Sequence, residues 1–309
     1  MGRYVVRRLL SMLLVLWVIA TVTFILMNII PGGPFASEKP LPEAVKRNIE
    51  ARYRLNDPLW KRYVDYMWNL IRWDLGPSFK YEGRTVNDII NSGFPVSAIL
   101  GVTAVALALL LGIPAGVLAA LKQNKWPDTL AMLAATVGVS VPSFIMATFL
   151  MYIFAYKLRW FPAALWGRPS QVVLPALALA GFPAAFFARL TRASMLEVLS
   201  EDFIRTAHAK GLSTTAVIVR HALKCALIPI FTYLGPLLAQ IMTGSFVIEK
   251  IFAIPGLGQH YVTSIYNRDY TVILGVTVFY SILLVTLNFL VDLGYILLDP
   301  RIKLTEPSS

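Results

Sequence analysis

An all-α polytopic membrane protein with six transmembrane helices and a small extracytoplasmic helical cap is the fold class this sequence predicts. Three observations predict it. The 309 residues are 57% hydrophobic and only 15% charged, with a mean hydropathy of +0.65, far from the balance of a soluble domain. Six apolar stretches are long enough to cross a bilayer, which takes about 20 helical residues for a core of about 30 Å. Finally, Lys and Arg crowd onto alternate connecting segments, as membrane topology demands.

The spans are expected in this order. The first is Leu9 to Ile30. The second, Pro95 to Leu121, and the third, Thr129 to Tyr156, carry no charge. The fourth starts near Gln171 and stays uncharged to Ala188. The fifth covers about Ala226 to Ile248. The sixth covers about Thr271 to Leu298 and is interrupted only by Asp292. Arg3, Arg7 and Arg8 before the first span look like the basic start of a signal peptide. Its apolar run is too long for one, and "NIIPGGPF" has no convincing small-x-small cleavage site, so an uncleaved span is expected.

Orientation follows from the short loops. With the N-terminus inside, 13 Lys and Arg fall on inside segments and five on short outside loops (Lys157, Arg159, Arg168, Lys250 and Arg268). The rest lie in residues 31–94, a segment long enough to escape the rule. Both termini and the loop between the fourth and fifth spans are thus expected in the cytoplasm. Topology explains the net charge of +11 without a nucleic-acid partner.

Residues 31–94 interleave balanced charges with Tyr53, Trp60, Tyr63, Tyr66, Trp68 and Trp73. "EAVKRNIEARY" and "WKRYVDYMWNLIRW" have helical apolar spacing, and "NDP" at 56–58 and "GPS" at 76–78 mark turns. A small helical cap on the outer membrane face is expected, since so many aromatics argue against a disordered linker.

Pro114 between Gly112 and Gly116, Pro142 after "GVSV", Pro175, Pro183, Pro229 and Pro236 predict broken spans. Such breaks are tolerated where neighbouring helices or a cavity rescue the freed backbone, and they suit a bundle that lines a gated path. The Gly112/Gly116 pair is also read as plain helix packing.

Several chemistries are missing. No GxxxxGK[ST] loop and no HExxH are present, so ATP binding through a P-loop is not expected. "GVSVP" at 138–142 does not make a serine nucleophile elbow. His208, His221 and His260 are far apart in sequence. Cys225, the only cysteine, is expected to be a buried thiol. Asp292 is the one acid well inside a span. It lies about 10 Å from the inner end, and reads either as a structural partner for a basic residue or as a proton relay in a secondary carrier.

The stretch "FIRTAHAKGLSTTAVIVRHALKCALIPI", from Phe203 to Ile230, reads as a cytoplasmic helix–glycine–helix hairpin. Glu201 and Asp202 place negative charge at the first helix start. Gly211 suits a left-handed C-cap and Ser213 an N-cap. Val217, Ile218 and Leu223 fall on apolar positions, with Arg220 and Lys224 on another side, and Pro229 starts the next span. Composition leaves two roles open: lying on anionic lipid or docking in a groove of a cytoplasmic protein.

"RTAHAKGL" and "RHALKCALIP" resemble the cytoplasmic EAA loop of ABC-importer membrane subunits. Ala207 and Gly211 match that pattern. Arg205 and Thr206 replace its Glu-Ala, and the gap from Gly211 to Ile228 and Pro229 is longer, as is usual in the peptide-importer branch. "ARYRLNDPLWKRY", "GPSFKY", "NDIINSGFPVSA", "AALKQN", "LTRASMLEV", "MTGSFVIE", "IPGLGQ", "NRDY" and "DPRIK" extend the likeness over residues 1–303. The chain thus resembles the B-type membrane subunit (permease) of bacterial oligopeptide and dipeptide ABC importers.

That resemblance implies a type I ABC-importer membrane-subunit fold. It implies a first span in 1–30, a cap in 31–94, a five-span core in 95–298 with the coupling hairpin at about 200–225, and a cytoplasmic tail in 299–309. It also implies a second homologous membrane subunit, two ATPase subunits that bind ATP and Mg, and an extracytoplasmic peptide-binding protein. The setting would be a bacterial inner membrane. Arg205, Thr206, Ala207, Lys210, Gly211 and Pro229 are the implied coupling residues, in a chain without catalysis, cofactor or metal of its own.

The orientation is testable. A cysteine at Ser309 is expected to react with impermeant reagents only after the membrane is opened, and one near Pro58 on intact spheroplasts. Labelling at 309 from outside overturns this topology.

Overall fold

The computed structural model describes residues 2–29 and 57–298, with side chains for 6–29 and 57–294. The helices are α1 (Gly2–Ile29), α2 (Leu59–Ile71), α3 (Val86–Leu121), α4 (Trp126–Ser140) and α5 (Ser143–Leu150). After a π-helical stretch, Met151–Lys157, come α6 (Pro169–Leu199), α7 (Asp202–Ala209), α8 (Thr214–Ala226), α9 (Ile228–Met242), α10 (Phe246–Ile251), α11 (Leu257–Tyr266) and α12 (Tyr270–Leu298). Among the described residues the only β contact is an isolated bridge between Pro77 and Thr85. The expected helix in "EAVKRNIEARY" and the tail 299–309 lie outside the described residues.

Among the described residues four helices are long and apolar enough to cross a membrane alone: α1, α3, α6 and α12. The pairs α4–α5, bent by 108°, and α8–α9, bent by 48°, bring the number to six if each pair is one span. The expected count of six therefore holds only with two broken members. Several boundaries shift. α3 starts at Val86 rather than Pro95, because Thr85 and Asp88 form a capping box: Asp88 N donates to Thr85 Oγ1 at 3.1 Å and Thr85 N to Asp88 Oδ2 at 2.9 Å. α9 stops at Met242, and Gly244 at φ +91° separates it from α10.

The expected breaks are only partly present. Pro142 ends α4: Val141 before it is extended (φ −87°, ψ 119°), as the ring of a following proline requires. The second bend falls between Ala226 and Ile228, next to Pro229. Helix runs straight through the positions of Pro114, Pro175, Pro183 and Pro236. A proline removes one ladder hydrogen bond but does not by itself end a helix that neighbours hold in place.

The described chain divides into two compact units. The first comprises residues 1–95 and 257–285. In it Leu75, Val86, Ile89, Ile90, Val272 and Val276 form a buried core. α2 docks on α1 through a Thr21–Tyr63 hydroxyl bond of 2.8 Å and a Phe24–Tyr66 stack with centroids 5.4 Å apart. The turn after α2 is closed by Asn87, whose amide donates to Trp73 O at 2.8 Å and whose oxygen accepts from Leu75 N at 3.0 Å. Buried Asp269 caps α12. It accepts from Ser78 Oγ, from Phe79 N at 3.1 Å and from Thr271 Oγ1 at 3.0 Å. The described part of the expected cap is therefore α2 and the turn that follows it; residues 86–94 belong to the span helix α3.

The second unit comprises residues 96–256 and 286–309. α6 is its central helix. A Cβ on Gly112 would lie 2.5 Å from Ala184 O, one on Gly116 2.5 Å from Ala188 O and 2.6 Å from Thr191 Cβ, and one on Gly138 2.9 Å from Ala185 Cβ. α3 and α4 thus both meet α6 at near-backbone distance, and the packing reading of the Gly112/Gly116 pair is the one observed.

Replacing Gly116 with Val is expected to cost about 1–3 kcal/mol by overpacking, read as a lower unfolding midpoint of the purified protein. Gly181→Ala, where a Cβ meets nothing within 4 Å, is the control and leaves that midpoint unchanged or raised.

Candidate functional site

The hairpin lies within the second unit. α7 carries Asp202 in its first turn and ends in a Schellman motif: Leu212 N donates to Ala207 O at 3.4 Å and Gly211 N to His208 O at 2.9 Å. Gly211 takes φ +77° with nothing within 4 Å of an added Cβ, so only the left-handed backbone demands glycine here. Ser213 then caps α8, its Oγ accepting from Ala216 N at 3.3 Å. Residues Val217–Ala222 of α8 are π-helical, an irregularity the sequence did not betray.

The hairpin has two faces. Ile204, Ala207, Val217, Ala222 and Ala226 are buried in one cluster with Ala120 and Met195. This apolar side fixes both helices to the end of α6. The other side presents Arg205, Thr206, His208 and Lys210, all exposed. Arg205 stays 3.5 Å from Asp202, both largely in solvent, so the pair adds little stability and leaves the guanidinium available. Thr206 Oγ1 donates to Asp202 O at 3.0 Å. Pro229 sits in the first turn of α9, past the bend.

The six expected residues thus separate by task. Arg205, Thr206 and Lys210 are on the open face, Ala207 anchors, Gly211 sets the turn, and Pro229 is distant from the tip. Cys225, expected to be buried, is exposed on α8, because Ala222 and Ala226 occupy the inward positions. His208 is exposed, while His221 and His260 are half-buried.

Two polar contacts of the second unit escaped the sequence reading. Asp128 at the start of α4 binds Arg192 of α6 in a fork, Nε to Oδ1 at 2.6 Å and Nη2 to Oδ2 at 2.7 Å, and also accepts from Asn124 N at 2.9 Å. This pair ties α4 to the part of α6 that leads into the hairpin. Glu249 of α10 is fully buried and accepts from Ser97 Oγ at 2.7 Å; a Cβ on Gly256 would strike its carboxylate. From the sequence Arg192 reads only as one of the basic residues that set topology. The available signal was an acid, Asp128, in the first turn after Pro127, where a helix start favours it; its partner 64 residues on could not be read.

Known proteins resemble this chain along nearly its whole length. A family model described as "Binding-protein-dependent transport system inner membrane component" matches residues 112–304, and its N-terminal companion, "Binding-prot-dependent transport system membrane comp, N-term", matches residues 1–100. The dipeptide transport system permease protein DppB of Bacillus subtilis (strain 168) is 54% identical over 98% of this chain and 99% of its own length. The oligopeptide transport system permease protein OppB of Escherichia coli (strain K12) is 47% identical over 98% of this chain and 100% of its own. A crystal structure of an amino acid ABC transporter with histidines aligns with a TM-score of 0.53, covering 67% of this chain and 93% of that chain at 17% identity. That structure shares the fold. With both family models spanning nearly the whole chain and relatives matched end to end, the protein belongs to the inner membrane components of binding-protein-dependent transport systems.

Proposed function

We propose that this chain is the membrane subunit of an ATP-driven importer of short peptides, and that it couples to its ATPase through the hairpin at about residues 200–225. The two full-length relatives are permeases of dipeptide and oligopeptide transport systems, which supports peptides as the substrate class. Importers of this family work with a partner membrane subunit, ATPases and a substrate-binding protein. In our reading a second homologous subunit completes the path, two ATPase subunits bind ATP and Mg, and an extracytoplasmic peptide-binding protein meets the cap within 31–94. The membrane is a bacterial inner membrane, crossed several times with both termini inside.

The hairpin's two-sided construction carries this reading. Its apolar side is buried against Met195 and Ala120, so it moves with α6 and α3. Its open side offers Arg205, Thr206, His208 and Lys210 to a partner groove. A hinge at Gly211 fixes the angle between α7 and the start of α8, and so the shape presented. ATP-driven closure of the ATPase pair would push this rigid element and, through α6, the bundle. Ligand-driven change of that kind requires contacts that differ between the two states.

Gly211→Val tests it. The left-handed backbone penalty is about 1–2 kcal/mol, too small to unfold a packed bundle, so the variant is expected to assemble with the ATPase subunits yet lose most peptide-stimulated ATP hydrolysis and uptake. Gly211→Asn, which tolerates the left-handed region, retains both. Transport by Gly211→Val at the parental rate overturns the coupling role and favours the hairpin as a lipid-surface element. Uptake that survives vanadate but collapses with the proton gradient, ATP being held constant, overturns the ATP-driven reading.

A further inference from the structure

The first unit carries a groove of about 380 Å³ between α1, α11 and the start of α12. Met27 lines it from α1, Ile265 from α11, and Ile273 and Thr277 from α12. Because α1 and α12 are both spans, the groove opens at membrane level. It descends along α12 from Tyr270 to Thr277, about 10 Å, which is within one leaflet of a core of about 30 Å. Its polar groups are already paired inside the protein. Thr23 Oγ1 donates to Ile19 O at 2.7 Å, and the Tyr261 and Thr277 hydroxyls meet at 3.1 Å; the Tyr270 hydroxyl is closed off. The interior therefore asks for an apolar occupant.

One charged residue, Arg268, stands on the groove wall, on the turn just before α12. It is exposed, and among the described residues its guanidinium has no ion-pair or hydrogen-bond partner. Its backbone is unusual. Arg268 N donates to Ile265 O at 3.2 Å and Asp269 N to Ser264 O at 2.9 Å, a Schellman turn that ends α11. Glycine is the usual residue at the left-handed position of such a turn, yet here Arg268 takes it, at φ +56°. Strain of this kind persists only where the surroundings impose it, and it gathers at functional sites. Beside it Tyr266 is 81% exposed, an amphipathic ring of the type enriched where a span leaves the bilayer.

We propose that this groove holds an anionic phospholipid, with the upper part of an acyl chain along Met27, Ile265 and Ile273 and the phosphate on the Arg268 guanidinium. A guanidinium fork matches a phosphate in both shape and charge. Met27 gives the chain an adaptable apolar wall. A protein helix in the groove would have to bring an acid to the membrane surface to meet Arg268. A phospholipid carries its anion at that depth in every molecule, above a chain that fits an apolar trench. On the expected topology the site is in the outer leaflet. It requires only that α1 and α12 cross the membrane, and is independent of which solute the importer carries.

Photo-crosslinking of the assembled transport complex in nanodiscs of phosphatidylethanolamine and phosphatidylglycerol tests it, with p-benzoylphenylalanine in place of Ile265, which is 49% exposed. Light is expected to join the probe to phosphatidylglycerol about fivefold more than the disc composition alone gives, since one basic group near a membrane surface contributes about that preference for anionic lipid. Arg268→Gln is expected to remove the enrichment and Arg268→Lys to keep part of it. Arg268→Gly is the sharper variant. It relieves the left-handed backbone, so the unfolding midpoint in detergent is expected to hold or rise while the enrichment is lost. A fall of both together makes Arg268 a structural part of the turn and overturns the proposal. Labelling of the two lipids in their bulk ratio overturns it as well, as does full enrichment in Arg268→Gln. A crosslink to the partner membrane subunit in place of lipid makes the groove a protein interface and overturns it too. Inorganic phosphate added to the complex is expected to leave lipid labelling unchanged; loss of the enrichment with phosphate marks a free-anion site and overturns the lipid.

Discussion

Close approach of backbones along α6 is the constraint on which the second unit depends. Lipid tails are as apolar as leucine, so burying a leucine between helices gains little there, and association rests on contact between well-fitted surfaces. Gly112 and Gly116 let α3 meet the carbonyls of Ala184 and Ala188, and Gly138 lets α4 meet Ala185 and Gly181. Three glycines on two neighbours therefore converge on about two turns of one helix. The alanine-rich run of α6, with Ala176, Ala178, Ala180, Ala185 and Ala188 buried, is the matching half of that surface. A larger residue on either side would separate the helices and forfeit many weak contacts at once.

Polar groups act on this framework as fixed points. Each buried acid named here sits at or near a helix end: Asp128 at the start of α4, Asp269 just before α12, Glu249 on short α10. Each is satisfied by groups distant in sequence, Arg192, Ser78 and Ser97 respectively. In an apolar setting an unpaired carboxylate is strongly disfavoured, so such contacts specify one register among the many sliding arrangements that smooth apolar helices permit. The Asp128–Arg192 fork has a further consequence. It locks the start of α4 to the stretch of α6 just before the hairpin, so the two helices move together there.

The hairpin packs onto that arrangement. Its inner side is a small apolar cluster continuous with Met195 of α6, its turn is set by Gly211, and its outer side is polar and unencumbered. The weak Arg205–Asp202 contact leaves the charges on that face free to be satisfied by a partner. A base packed on α6 joined to a polar, solvent-facing side is the construction on which the proposed coupling role rests.

The sequence by itself determined what the bilayer dictates. A core of about 30 Å fixes the length of an apolar run, and the position of the α1, α3, α6 and α12 spans was legible from that alone. Gly211 and Ser213 were legible too, since a left-handed C-cap and a side-chain N-cap are local demands that neighbouring residues state openly. The start of α3 was also written locally, in Thr85 and Asp88, beneath an apolar run that drew attention to Pro95. Tertiary structure alone decided the rest. Six prolines predicted breaks, yet Pro114, Pro175, Pro183 and Pro236 lie within continuous helices, while sharp bends fall at Pro142 and beside Pro229. Whether a missing hydrogen bond bends a helix depends on what packs against it, which no local window contains. For the same reason the partners of Asp128, Glu249 and Asp269 were hidden: a charge announces its need for a partner, and only the folded chain supplies one.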